Sequence, residues 1–226
     1  MKSGQASRKV LELLSDGQIR SLKELRELGV SPQTLRRLVE NGEIENPGLG
    51  LYQVPRQDLD PRDCLAAIAK LVPVSMVWML SAAAIHGITQ DMPANLWLAV
   101  PKTHRGTIGP GAAFDGPPLN VTRLARENDF EIGVETVKIR GVDVRITKPE
   151  RTVVDMWRYS TLNTSVQAQA RKIDDETFLD ALTNYLSPDR GGGDLASVAE
   201  MADKFGVLAG MEPHLKAVNF VAGMRP

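Results

Sequence analysis

A short polar run near the start of the chain combines side chains that pair with the edges of DNA bases. The run contains Gln33, Thr34, Arg36 and Arg37. Glutamine pairs bidentately with adenine and arginine with guanine, while threonine suits a thymine methyl group or a phosphate oxygen. At about 100° per residue, a helix that buries the leucines of this run turns Gln33 and Arg37 outward and leaves Thr34 and Arg36 on its flanks. Taken alone, the same pattern also fits an ordinary solvated helix face.

Start and stop signals place this run on the third helix of a compact unit. Apolar periodicity before residue 16 predicts a first helix. Ser21 and Glu24 have the capping-box spacing that opens a second helix, and Gly29 ends it. After a short link, Ser31 is the next N-cap and Pro32 takes the first helical position. The polar run therefore lies on a helix that a tight turn joins to its predecessor.

A hairpin is predicted directly after the third helix. Residues 43–46 and 51–54 form its strands, and residues 47–50 form its turn. Helix, helix, tight turn, helix and hairpin is the order of a winged helix-turn-helix, whose recognition helix enters the major groove of DNA. A winged helix used for protein contact has the same order and stays open as an alternative.

This arrangement assigns further residues to the same surface. Arg20 and Lys23 are placed to hold phosphates and set the register on DNA. Tyr52, on the hairpin, lies beside the expected path of the phosphate backbone, although a purely core role for its ring is the alternative. The candidate DNA-binding residues are Arg20, Lys23, Ser31, Gln33, Thr34, Arg36, Arg37 and Tyr52.

The rest of the chain predicts a second domain. Asp60 as an N-cap and Pro61 as the first helical residue begin a new element, so we expect a boundary near residue 56, with domains at residues 1–56 and 57–226. The fold class is α+β: an N-terminal winged helix-turn-helix domain followed by a mixed α/β domain that ends in helices. Strands are predicted at residues 96–100, 120–124, 135–139 and 142–146, and helices at residues 81–86, 150–159, 175–186, 195–205 and 212–220.

A Pro- and Gly-rich segment at residues 101–118 predicts a mobile loop. It carries Lys102, His104 and Arg105, which are candidate accessory phosphate contacts. A solvated loop without such a role is the alternative.

Composition favours an intracellular protein that does not enter membranes. The 27 basic and 28 acidic residues give a formal net charge of -1, which excludes a polybasic protein but not a DNA reader with its cations on one face. The single cysteine, Cys64, suits a reducing compartment, and the start of the chain lacks the apolar stretch of a signal peptide. Residues 71–90 contain no charged side chain, but Pro73 and Gly87 interrupt them, so they predict a buried core segment. We therefore expect a cytoplasmic location and no membrane partner.

Catalytic and metal-binding patterns are sparse. The three histidines lie on separate segments, and no HExxH or cysteine-bearing spacing is present, so neither a metal nor another cofactor is expected. His86 fits a hydrogen-bonded core histidine better than a general base. Asp129 and its acidic neighbours fit solvated loop carboxylates, and residues 191–193 fit a linker. The sequence predicts no enzyme, with an enzyme carrying a DNA-binding appendage as the least favoured alternative.

Three runs in the second domain carry a family resemblance. They are LSAAAIHGI at residues 80–88, LWLAVP at residues 96–101 and GVDVRITKPERTVVD at residues 141–155. Together with the leading winged helix, they resemble AbiEi-type antitoxins of toxin-antitoxin systems over about residues 5 to 220. The order of the runs is more specific than any one of them. The polar residues 163–172 and the glycines at residues 191–193 depart from the family pattern.

The resemblance implies an antitoxin and transcriptional autorepressor. Its N-terminal domain would bind double-stranded promoter DNA of its own operon. Its C-terminal domain would counteract a neighbouring nucleotidyltransferase-like toxin, and whether the toxin is bound directly stays open. The alternative is a winged-helix regulator unconnected with a toxin. Within the third run, Arg151 and Asp155 are placed to pair on a helix while Val153, Val154 and Trp157 face the core, so we interpret this run as architectural rather than as a toxin contact.

Overall fold

A computed structural model describes residues 2–48, 50–55, 60–90, 93–106, 108, 117–161 and 173–223. The chain divides into two compact units. The first comprises Met1–Ser75, Gly106–Leu119 and Thr136–Val144, and the second comprises Met76–Arg105, Asn120–Glu135 and Arg145–Pro226. Residues 56–59, where the sequence places a domain boundary, lie outside the described residues, as do residues 109–116 of the expected loop and residues 162–172.

The first unit begins with helices and a small antiparallel sheet. The sheet has the order β1-β3-β2. The elements are α1 (Lys2–Leu14), β1 (Arg20–Ser21), α2 (Leu22–Glu27), α3 (Pro32–Glu40), β2 (Glu45–Gly48), β3 (Leu51–Gln53) and α4 (Pro61–Leu71).

Local sequence signals account for the boundaries of these elements. The capping box at Ser21 is present, and the Ser31 and Asp60 side chains cap α3 and α4 as predicted. The predicted hairpin is present, although its first strand extends through Gly48 and Leu49 lies outside the described residues. Strand β1 was not predicted, because two residues are too few to show an alternating pattern.

Apolar side chains from the three helices and from the segments that follow α2 and α3 form the core of this unit. The buried members are Val10, Leu14, Leu25, Val30, Leu35, Leu38 and Ile44. Val39, expected in the buried stripe of α3, is only half-buried at the edge of this core, as is Tyr52. The core leaves the opposite face of α3 to solvent.

The later elements build a mixed sheet and a group of helices. Strand order is β6-β5-β4-β8-β7, with β4 antiparallel to β5 and parallel to β8. The elements are β4 (Met76–Val77), α5 (Met79–Ile85), β5 (Leu96–Pro101), β6 (Leu119–Leu124), a 3-10 turn (Glu127–Phe130), β7 (Val134–Ile139), β8 (Val142–Thr147), α6 (Pro149–Thr161), α7 (Asp175–Leu186), α8 (Leu195–Lys204) and α9 (Leu208–Gly223).

The fold is therefore α+β. Each strand and helix predicted in this part is present; the helix at Asp175–Leu186 has the predicted bounds, and the ends of the others are shifted. Helix α5 starts at Met79 rather than Ser81, and α9 starts at Leu208 and contains Pro213. Among the described residues, no helix combines the length and the apolar character needed to cross a bilayer.

Two expectations for this part of the chain concern its polar and glycine-rich segments, and one of them is wrong. Residues 191–193 link α7 to α8 as predicted; a Cβ built on Gly193 would lie 2.0 Å from the Tyr185 ring, so the backbone is pressed onto that side chain. Asp129 is not solvated but 4% exposed. It lies beside two arginines of α6, with its Oδ1 3.8 Å from Arg151 Nη2 and 3.6 Å from Arg158 Nη2.

Candidate nucleic-acid interface

The N-terminus of α3 is fixed by its own side chains. The Ser31 hydroxyl accepts a hydrogen bond from the Thr34 backbone N–H at 3.2 Å and lies 2.9 Å from the Thr34 hydroxyl. Both candidate side chains are thus engaged in capping, while Gln33 between them is exposed.

The two arginines of α3 are exposed but differ in their partners. Arg36 Nε lies 2.9 Å from Glu40 Oε1, and the two side chains are 82% and 59% exposed. Such an exposed i,i+4 pair contributes only about 0.3–0.5 kcal/mol, so a phosphate or base can displace the glutamate. Arg37 donates a hydrogen bond to the Ser7 hydroxyl of α1. The position of Arg37 is therefore set from two helices.

Arg20 is occupied within its own turn. Its Nη2 lies 2.6 Å from Asp16 Oδ2, and its Nε donates to the Leu13 carbonyl oxygen at 2.8 Å. The side chain is only 24% exposed. This guanidinium closes the end of α1 against β1.

Lys23, in contrast, stands exposed on the first turn of α2. The next residue, Glu24, accepts hydrogen bonds from the Ser21 backbone N–H at 2.6 Å and the Ser21 hydroxyl at 2.8 Å. Burial alone would raise the pKa of Glu24, but hydrogen bonds from Lys70 and Ser21 outweigh it, so the pKa is lowered. Glu24 is thus ionised and committed to the helix cap, whereas the exposed Lys23 ammonium has no ion-pair partner among the described residues.

The hairpin contacts the core of the first unit through Tyr52, and a polar pair joins its two strands. Tyr52 is half-buried and packs against the apolar core of the first unit. Gln53 is 6% exposed, and its side-chain amide donates to the Glu45 carboxylate across the strands. The Tyr52 ring therefore has a core role, with part of its surface still exposed.

The accessory candidates lie at the ends of β5 and β6 in the second unit. Lys102 and Arg105 are exposed and His104 is half-buried. The Lys102 backbone N–H donates to the Leu124 carbonyl oxygen at 2.8 Å, and Arg123 Nη1 donates to the His104 carbonyl oxygen at 2.6 Å. The sequence analysis missed Arg123 and the exposed Arg126. They were missed because the pairing of β6 with β5, which places Arg123 beside His104, joins residues about 20 apart in the chain.

In the described part of the chain, no three His, Cys, Asp or Glu side chains come close enough to hold a metal ion. His86 Nε2 lies 2.7 Å from the Thr147 carbonyl oxygen, and only 11% of its side chain is exposed, as expected for a core histidine.

Comparison with known proteins identifies the region that carries this surface. Residues 8–55 match a family model described as transcriptional regulator, AbiEi antitoxin, which confirms the resemblance over about a fifth of the chain. No curated protein matches the sequence. The fold is similar to the crystal structure of the RV2827C protein from Mycobacterium tuberculosis, with a TM-score of 0.51, 14% identity, and coverage of 95% of this chain and 80% of that one. At this identity the similarity concerns the fold alone.

Proposed function

We propose, from the AbiEi antitoxin regulator domain at residues 8–55, that this protein is an antitoxin and transcriptional autorepressor. Residues 1–56 form a winged helix-turn-helix domain that contacts the promoter of its own operon. Residues 57–226 counteract a nucleotidyltransferase-like toxin encoded beside it, in the cytoplasm. The single observation that carries the proposal is the match of the regulator family to the segment that exposes Gln33, Arg36 and Arg37 on one helix.

The DNA-binding part of the proposal assigns α3 to the major groove. Gln33 and Arg37 face the bases, and Arg36 exchanges its exposed glutamate partner for a phosphate or a base edge. Lys23 contacts a phosphate from α2, and Tyr52 supports the hairpin beside the backbone. Arg20 contributes by holding the turn between α1 and β1, because its guanidinium is already bound to Asp16.

Binding assays on the intact protein test these assignments. Arg37→Ala should lose about 1–3 kcal/mol of discrimination at one base pair of the operator. Lys23→Ala should weaken binding evenly across operator sequences and reduce the slope of log affinity against log salt by about one unit. Lys204→Ala is the matched control, since within the described residues that lysine forms an exposed pair with Glu200 and no other ion pair. Equal sequence preference of wild type and Arg37→Ala across an operator panel would refute the base contact.

The antitoxin part is tested by growth. Cells that express the neighbouring gene alone should stop growing, and co-expression of this protein should restore growth. Lack of toxicity from that gene would leave the second candidate, a winged-helix regulator unconnected with a toxin. The same regulator domain at residues 8–55 supports that candidate, because its description covers transcriptional regulation as well as an antitoxin.

The cations at the ends of β5 and β6 are proposed as accessory phosphate contacts. Lys102, His104 and Arg105 are joined there by Arg123 and Arg126. Lys102→Ala combined with Arg105→Ala should lower affinity without changing base preference, because phosphates carry no sequence information. Unchanged affinity and salt dependence would assign this segment to solvent.

A further inference from the structure

Both ends of α2 are held by lysines from outside the helix-turn-helix pair. At its C-terminal end, Lys9 of α1 donates to the Leu28 carbonyl oxygen at 2.6 Å. At its N-terminal end, Lys70 of α4 lies 2.9 Å from Glu24 Oε1 and 2.8 Å from Glu24 Oε2. A helix of six residues has little stability of its own, so such contacts decide where it lies.

Lys70 makes this contact in a restricted setting. It is 19% exposed, and its ammonium also donates to the Ile19 carbonyl oxygen at 2.7 Å, just before β1. Its charged group thus joins the turn that precedes α2 to the carboxylate that caps α2. The Lys70 ammonium is thus engaged with protein groups, whereas the described part of the chain offers no such partner to Lys23.

Helix α4 is itself anchored in the same unit. Arg140, in the turn between β7 and β8, donates from Nε to Asp63 Oδ1 at 2.6 Å and from Nη2 to Asp63 Oδ2 at 3.4 Å. The adjacent Gly141 has φ +72°, and a Cβ built on it would lie 2.4 Å from the Gln18 side chain. The first unit is therefore discontinuous in sequence, and α4 is a fixed support for Lys70.

We propose that Lys70 is a positioning residue for DNA binding, which holds the first turn of α2 so that Lys23 meets a phosphate. The inference rests on the proposed function. Lys70 neutralises the carboxylate next to Lys23 and fixes the capping residue of the same turn. It touches no DNA, so its effect passes through Lys23.

A double-mutant cycle on the full-length protein tests this route. Lys70→Met should weaken binding of the promoter DNA upstream of the protein's own gene about fivefold or more, and Lys70→Arg should retain most of the affinity because it keeps the charge. In a Lys23→Ala background, Lys70→Met should have little further effect. Lys216→Met is the matched control, because its exposed lysine pairs with exposed Glu212 and with no other carboxylate in the described part of the chain.

Hydrogen exchange of the α2 amides measures, in the absence of DNA, how firmly Lys70 holds this helix. Amides of α2 should exchange about tenfold faster in Lys70→Met than in the control, while tryptophan fluorescence, which reports the second unit, should show an unchanged unfolding transition. If Lys70→Met does not fold, Glu24→Gln weakens the same pair and should shift both measurements in the same direction.

The outcomes separate this inference from the proposed function. Faster exchange with unchanged DNA affinity would overturn the positioning role, and so would additive losses in the cycle, which would make Lys70 a direct contact. Unchanged exchange of the α2 amides would overturn the idea that the Lys70–Glu24 contact holds α2 in place. If the wild type fails to bind the promoter, the proposed function fails and the positioning role fails with it. Hydrogen exchange still tests whether the Lys70–Glu24 contact holds α2 in place.

Discussion

Replacing Arg151 with methionine should destabilise the second unit more than any surface change. The Arg151 side chain is 0% exposed, and its Nε lies 2.6 Å from Asp155 Oδ2, which is equally buried. Nη1 donates to the Ile132 carbonyl oxygen, and the guanidinium stacks on Phe205, with its carbon 4.0 Å from the ring centroid. The substitution would therefore leave a carboxylate and a carbonyl without this donor.

The magnitude follows from these contacts. Removing one partner of a buried ion pair costs about 3–5 kcal/mol, because the other charge stays buried. Arg158 limits the loss, since its Nη1 remains 2.7 Å from Asp155 Oδ1. We therefore expect about 3 to 4 kcal/mol, which for a protein of this length lowers Tm by roughly 6–16 °C.

Tryptophan fluorescence is a suitable assay, because Trp78, Trp97 and Trp157 all lie in the second unit. Lys216→Met is the matched control in the same unit: its lysine is 73% exposed and pairs with Glu212, four residues away on the same helix, as Arg151 pairs with Asp155. That variant should change stability by less than about 0.5 kcal/mol. A loss below about 1 kcal/mol for Arg151→Met would refute the reasoning that the buried Asp155 carboxylate and Ile132 carbonyl depend on the Arg151 guanidinium.

Three further outcomes are expected. Because the pKa of Glu24 is lowered, its ionised cap stabilises the first unit above the ordinary glutamate pKa of about 4.5, and this stabilisation is lost as the pH falls through the pKa of the folded state. Hydrogen exchange of the α2 amides should therefore become faster as the pH is lowered through this range, after correction for the intrinsic exchange rate. Glu24→Gln should abolish this pH dependence. Gly193→Ala should lower the free energy of unfolding in urea by about 2 kcal/mol or more, because the new Cβ overlaps the buried Tyr185 ring. Gly206→Ala is the control: its Cβ meets open space, and its φ of +65° should cost about 1 kcal/mol. Equal losses in the two variants would contradict the overlap. Burial raises the pKa of the Cys64 thiol to about 11, so maleimide labelling near pH 8 should be much slower than for a free thiol, and equal rates would contradict its burial.

Local signals explain which parts of the fold were predictable. The starts of α2, α3 and α4 depend on side chains within three residues of each cap, so Ser21, Ser31 and Asp60 could be recognised directly. Strand β4 could not, because Met76 and Val77 are both buried and show no alternation. Its neighbours in the sheet come from β5 and β8, and that pairing is a property of the whole sheet rather than of two residues.

Contacts at long sequence separation explain what was missed around the candidate interface. The composition of α3 identified its exposed polar face, but nothing local indicated that Arg37 meets Ser7, which lies 30 residues earlier. Lys70 is 46 residues from Glu24, and the sequence analysis gave it no role. The charge and position of Arg20 predict a phosphate contact, whereas in the structure its guanidinium is already paired with Asp16.

The third run of the family resemblance uses its polar side chains inside the protein. Thr147, Arg151, Thr152 and Asp155 are each 0% exposed. The two threonine hydroxyls lie 2.7 Å apart, and the Thr147 carbonyl oxygen lies within hydrogen-bond distance of His86. Since a fully buried side chain cannot touch another protein in the folded state, these four residues serve the architecture of the second unit. Under the proposed function, we therefore expect the determinants of toxin antagonism among its exposed residues.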